Sequence, residues 1–147
     1  MILAFGSRES TRDIDALVMA PASVRTAAAR LAQIHGFPAN WLNDGVKGFA
    51  SGQALEAKEI LNFSHLRVVV PSAEYILAMK CLAARVGVDE YDKVDAKFLI
   101  RQVGLKSANA VLSVVERFYP RERIPAKTHY FVQEVCDELF PKTGDAG

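Results

Sequence analysis

Asp13 and Asp15 stand two residues apart in the run Asp13 to Val18, which alternates in polarity and then turns apolar before Pro21. That pattern predicts a half-buried strand, in which both carboxylates leave the same face while Ile14 turns to the core. Two neighbouring aspartates repel each other unless a cation lies between them. Mg²⁺ is bound through one or two carboxylates together with phosphate oxygens, so the pair suits a metal-assisted phosphoryl displacement. Just upstream, Gly6, Ser7, Arg8, Ser10 and Thr11 offer backbone N–H groups, hydroxyls and a guanidinium that suit phosphate. The same residues also read as an ordinary polar turn leading into a strand, and a bare Asp-x-Asp occurs in many solvated loops.

Lys80 is the second chemical candidate. It is flanked by Tyr75 to Met79 and by Cys81 to Ala84, which make its helix apolar almost all round. An ammonium in such surroundings needs a counter-charge, either an aspartate or a bound phosphate, unless the side chain snorkels to the surface. Asp92 and Asp95, three apart on a later helix, can reach Lys80 or Arg85, or form ordinary surface pairs. Trp41 with Asn43 and Asp44 can line a pocket or anchor a loop. Cys81 and Cys136 read as small core residues, and His35, His65 and His129 suggest no ligand set.

These groups have to be held by a framework. Met1 to Phe5 is an apolar opening, followed by the polar turn and the Asp13 strand. Ser23 is placed to cap a helix that Gly36 and Pro38 stop, and Gly36 to Gly52 reads as a structured loop around Trp41. Leu66 to Val70 is a second strand, closed by Pro71. Ser72 then caps a helix through about Arg85, followed by helices over Tyr91 to Gln102, Ser107 to Phe118 and Lys127 to Phe140. Strands early and helices late predict an α+β fold. It would be one domain over 1–147, with a sheet-containing part at 1–70 and a helical part at 71–147.

The 147 residues are enough for a sizeable core, half of them being hydrophobic. With 18 Lys and Arg against 17 Asp and Glu, no global positive field favours nucleic acid, so any RNA contact must be local. No apolar run reaches the roughly 18 residues that span a bilayer, and the first residues lack the basic region of an export signal. A cytoplasmic protein with no membrane partner is expected.

The segment Gly6-Ser7-Arg8-Glu9-Ser10-Thr11-Arg12-Asp13-Ile14-Asp15 resembles the Gly-Ser-Arg…Thr-x-Asp-Ile-Asp motif of polymerase-beta-like nucleotidyltransferases, especially the AbiEii-type toxin branch and its bacterial relatives. Val70-Pro71-Ser72-Ala73-Glu74-Tyr75-Ile76-Leu77-Ala78-Met79-Lys80 is similar to that family's strand-to-helix motif ending in lysine. Asp92-Lys93-Val94-Asp95 with Phe98-Leu99 is similar to its later Asp-x-x-Asp helix.

The resemblance covers most of the chain and implies a small mixed sheet of nucleotidyltransferase type with a helical C-terminal half. It implies Mg²⁺ or Mn²⁺ on Asp13 and Asp15, and a nucleoside triphosphate contacted by Gly6, Ser7, Arg8, Thr11 and Lys80, with Asp92 as the late acidic position. The implied reaction moves a nucleotide to a hydroxyl of tRNA or protein, and the toxin branch implies an antitoxin partner. The Gly-Gly turn that cradles the triphosphate in that branch has no counterpart before Asp13. Met1 to Phe5 then reads as the tail of a helix whose beginning is missing, and as an apolar edge for homo- or hetero-oligomer formation. The alternative expectation is a degenerate, non-catalytic binding protein that keeps the fold.

Overall fold

Parallel strands need a long crossover between them, usually a helix, and the first third of the chain supplies one. The computed structural model describes residues 14–51, 57–85 and 90–141. Its first strand, β1 (Ile14–Asp15), lies parallel to β2 (Leu42–Asn43), with Ile14 opposite Leu42 and Asp15 opposite Asn43. Helix α1 (Pro21–His35) is the crossover. It begins two residues before the predicted cap Ser23, because Pro21 takes the first helical position, where its fixed φ is already helical and its missing N–H costs nothing. It ends where expected, at Gly36, whose φ of 69° is left-handed.

Trp41 fastens the strand lead-in to this helix, its indole N–H donating to the Ala28 carbonyl at 3.0 Å. Arg25 reaches Asp44 at 3.1 Å, and the Asn43 side chain accepts from the Gly45 N–H at 3.0 Å. Trp41, Asn43 and Asp44 are therefore engaged in holding their own loop, which closes in a 3₁₀ turn over Gly45–Phe49.

The chain divides into two compact units, Met1–Ala50 and Ser51–Gly147, each described by itself. The second opens with a hairpin, of which only the Leu66 to Val70 strand is expected from the sequence. Its first strand, β3 (Ala57–Phe63), pairs antiparallel with β4 (Leu66–Pro71) across the two-residue turn Ser64–His65. A register shift between Glu59 and Leu61 breaks the alternation of β3, and most of its residues are exposed. In place of the single mixed sheet expected, the described strands form two separate two-stranded ladders, one parallel and one antiparallel. The fold is α+β all the same.

Four helices follow: α2 (Ala73–Ala83), α3 (Glu90–Val103), α4 (Ala108–Phe118) and α5 (Ala126–Leu139). Ser72 and Ser107 cap α2 and α4 as predicted, accepting from the N–H of Tyr75 and of Ala110. Gly104, with φ of 81°, ends α3, and the Ile100 carbonyl accepts from the N–H groups of both Gly104 and Leu105. Helix α2 packs against the other three. Its Tyr75, Leu77, Ala78 and Cys81 are buried among Leu99 and Ile100 of α3, Val111 and Val115 of α4, and Phe131, Val132 and Val135 of α5.

Candidate functional site

Among the described residues, the charged group that the core encloses most completely is Asp95, which is 1% exposed. A carboxylate so placed needs a cation and hydrogen bonds to stay ionised. Lys80 supplies the cation: its Nζ lies 2.7 Å from Asp95 Oδ2 and 3.6 Å from Asp92 Oδ1. The counter-charge that the apolar setting of Lys80 demanded is thus an aspartate pair on α3, although the Lys80 side chain also reaches water, being 24% exposed.

The helices bring these groups together for ordinary reasons. Lys80 stands in the last turn of α2, where exposed carbonyls favour a cation. Asp92 stands in the first turn of α3, where free N–H groups favour an anion, and the i,i+3 spacing turns Asp92 and Asp95 toward the same neighbour. Next to them, Lys127 donates to the Ala84 carbonyl at 3.0 Å and closes the end of α2.

The two carboxylates are not equivalent. The Asp95 side chain is 2% exposed, against 28% for Asp92 and 24% for Lys80. Among the described residues one ammonium thus faces both carboxylates. Lys80 and Asp92 keep part of their surface in water, and Asp95 does not.

Asp15 belongs to the other unit. It is exposed at the end of β1 while Ile14 is half-buried, and the strand expected to run to Val18 stops at Asp15. Its hard carboxylate oxygens have the chemistry Mg²⁺ takes, and one or two such groups beside phosphate are enough. Asp13, with Gly6, Ser7, Arg8 and Thr11, lies outside the described residues, as does Met1 to Phe5. Among the described residues, no group of three or more His, Cys, Asp or Glu is placed to hold a metal ion.

Cys81 and Cys136 are free thiols buried in the core, as expected from their apolar runs. Burial, reinforced by Cys136, pushes the Cys81 thiol up to about 12, and burial raises that of Cys136 as well. Neither has nucleophile character near neutral pH. Tyr75 is enclosed too, its hydroxyl accepting from the Ser51 N–H at 2.7 Å, while burial and Tyr75 itself raise the Tyr119 phenol. Among the described residues no single helix is long and apolar enough to cross a membrane.

By resemblance Lys80 and Asp92 are the expected site residues, with Asp95 beside them. The structure makes Asp95 the tighter and deeper partner. No protein-family model, curated protein or solved structure matches this chain.

Proposed function

We propose that this chain is a metal-dependent nucleotidyltransferase of the polymerase-beta-like kind. The supporting observation is the meeting of Lys80 with Asp92 and Asp95. These residues come from two separate segments that resemble that family's motifs, and they form one charged cluster at the junction of α2 and α3. Asp13 and Asp15 would hold Mg²⁺ or Mn²⁺, which when bound neutralises charge on the triphosphate. Lys80 would steady a phosphate, Asp92 would serve as the late acidic group, and Gly6, Ser7, Arg8 and Thr11 would contribute phosphate contacts. Catalysis would rest on positioning and charge neutralisation. The acceptor is a hydroxyl on tRNA or protein, the compartment is the cytoplasm, and the toxin-branch resemblance supports an antitoxin protein as partner.

A second reading draws on the same cluster. Because two carboxylates already neutralise Lys80, the pair also serves a protein that has kept the fold for binding and lost transfer. Calorimetric titration of each of the four ribonucleoside triphosphates with Mg²⁺ or Mn²⁺ separates the two. The enzyme reading expects binding that Asp13→Ala/Asp15→Ala removes. Binding indifferent to that double substitution defeats the metal assignment, and no binding of any triphosphate leaves the interaction protein.

A further inference from the structure

We propose that Asp95 is a positioning residue for Lys80, and that Asp92 is the exchangeable counter-charge displaced when a phosphate oxygen reaches the ammonium. This rests on the nucleotidyltransferase reading for its ligand, and on the inequality of the two carboxylates for its logic. Asp95 is enclosed and 2.7 Å from Nζ, whereas Asp92 is 3.6 Å away and partly in water. The enclosed contact is screened little and fixes where the ammonium sits, while the wetter one is weakened by water and exchanges cheaply. A phosphate approaching Lys80 from the accessible side takes the place of Asp92 and leaves that carboxylate free to face the substrate. Asp95 stays bound throughout.

Asp92→Asn and Asp95→Asn each remove one negative charge beside Lys80, so on charge alone both would tighten anion binding. Positioning predicts opposite signs. For inorganic tripolyphosphate and for ATP with Mg²⁺, Asp92→Asn should tighten binding by about fivefold, the effect of one like charge removed near water. Asp95→Asn should weaken it by about tenfold, the loss of an ordered charged contact. Without any ligand, acylation of Lys80 followed by mass spectrometry should be slow in the wild type and in Asp92→Asn, and several-fold faster in Asp95→Asn.

Equal signs for the two substitutions, an unchanged acylation rate in Asp95→Asn, or no tripolyphosphate binding by the wild type would each overturn the proposal. Should Asp95→Asn not fold by circular dichroism, Asp95→Glu takes its place. That side chain keeps the charge but shifts the ammonium, so weakened tripolyphosphate binding is expected and wild-type affinity would count against positioning. The acylation arm uses no ligand. Opposite signs with tripolyphosphate, beside ATP binding indifferent to Asp13→Ala/Asp15→Ala, would therefore sink the nucleotidyltransferase reading and spare the positioning one.

Discussion

An ion pair inside a protein stabilises less than its geometry suggests, because two charges have left water to make it, yet it is costly to break by halves. Asp95→Ala should therefore cost about 2 kcal/mol, less than a fully enclosed pair broken by halves, because Lys80 is 24% exposed and keeps Asp92 beside it. The paired replacement Lys80→Met/Asp95→Leu should regain most of that loss. Urea denaturation of the three proteins checks it, and a double variant as unstable as Asp95→Ala would show that the pair itself holds the helices. That Lys80 required a partner was legible from the apolar residues around it. Which aspartate would be the buried one was not, since i,i+3 spacing turns both to the same side and only the depth of the α2–α3 contact separates them. The thiols carry a pH consequence. The folded state keeps Cys81 protonated up to about 12, whereas the unfolded chain releases its proton near 9.0. The stabilisation is fully present below pH 9 and is lost as pH climbs toward 12, by about 1.4 kcal/mol per pH unit for one group. Thermal unfolding midpoints across that window should fall, and Cys81→Ala should flatten the slope.

At the scale of the elements, legibility follows how local the cause is. The caps of α2 and α4 and the glycine stops of α1 and α3 depend on one side chain or one backbone angle, and all four fall where the residue types place them. Ser107→Ala should cost about 1 kcal/mol, read as a lowered unfolding midpoint, by orphaning the Ala110 N–H. Gly104→Ala should cost a similar ~1 kcal/mol although nothing lies within 4 Å of the added methyl, since the penalty comes from the left-handed backbone alone. A neutral result for Gly104→Ala would mean that α3 can end by another route. Strand β3 was not legible because its cause is not local. Lys58, Glu59 and Asn62 interrupt the apolar positions, the Glu59/Leu61 shift spoils the period of two, and the Ser64–His65 turn lacks the glycine that marks a hairpin. Only pairing with β4 defines it. The strand expected to run to Val18 is strand only at Ile14–Asp15 among the described residues, because β1 pairs with β2 over two residues only.

At the scale of the molecule, the burial of apolar surface is unevenly shared between the two units. Among the described residues, every buried apolar side chain except Ala32 lies in Ser51–Gly147. In the first unit, α1 leaves Leu31 and Ile34 at 40% and 62% exposed, so Trp41 and the Arg25–Asp44 pair hold a helix that gains little from burial. Hydrophobic burial is the main term that offsets chain entropy, and an exposed ion pair adds at most about 1 kcal/mol. A fragment spanning 51–147 should therefore unfold cooperatively with a helical circular dichroism spectrum, whereas 1–50 alone should show neither. Lys80, Asp92 and Asp95 all lie in the longer fragment, so Lys80 should keep its slow acylation there. Non-cooperative melting of 51–147 would mean that its helices depend on the first fifty residues. A fast-reacting Lys80 in a cooperatively folded fragment would mean that the cluster, unlike the core around it, is shaped from outside its own unit.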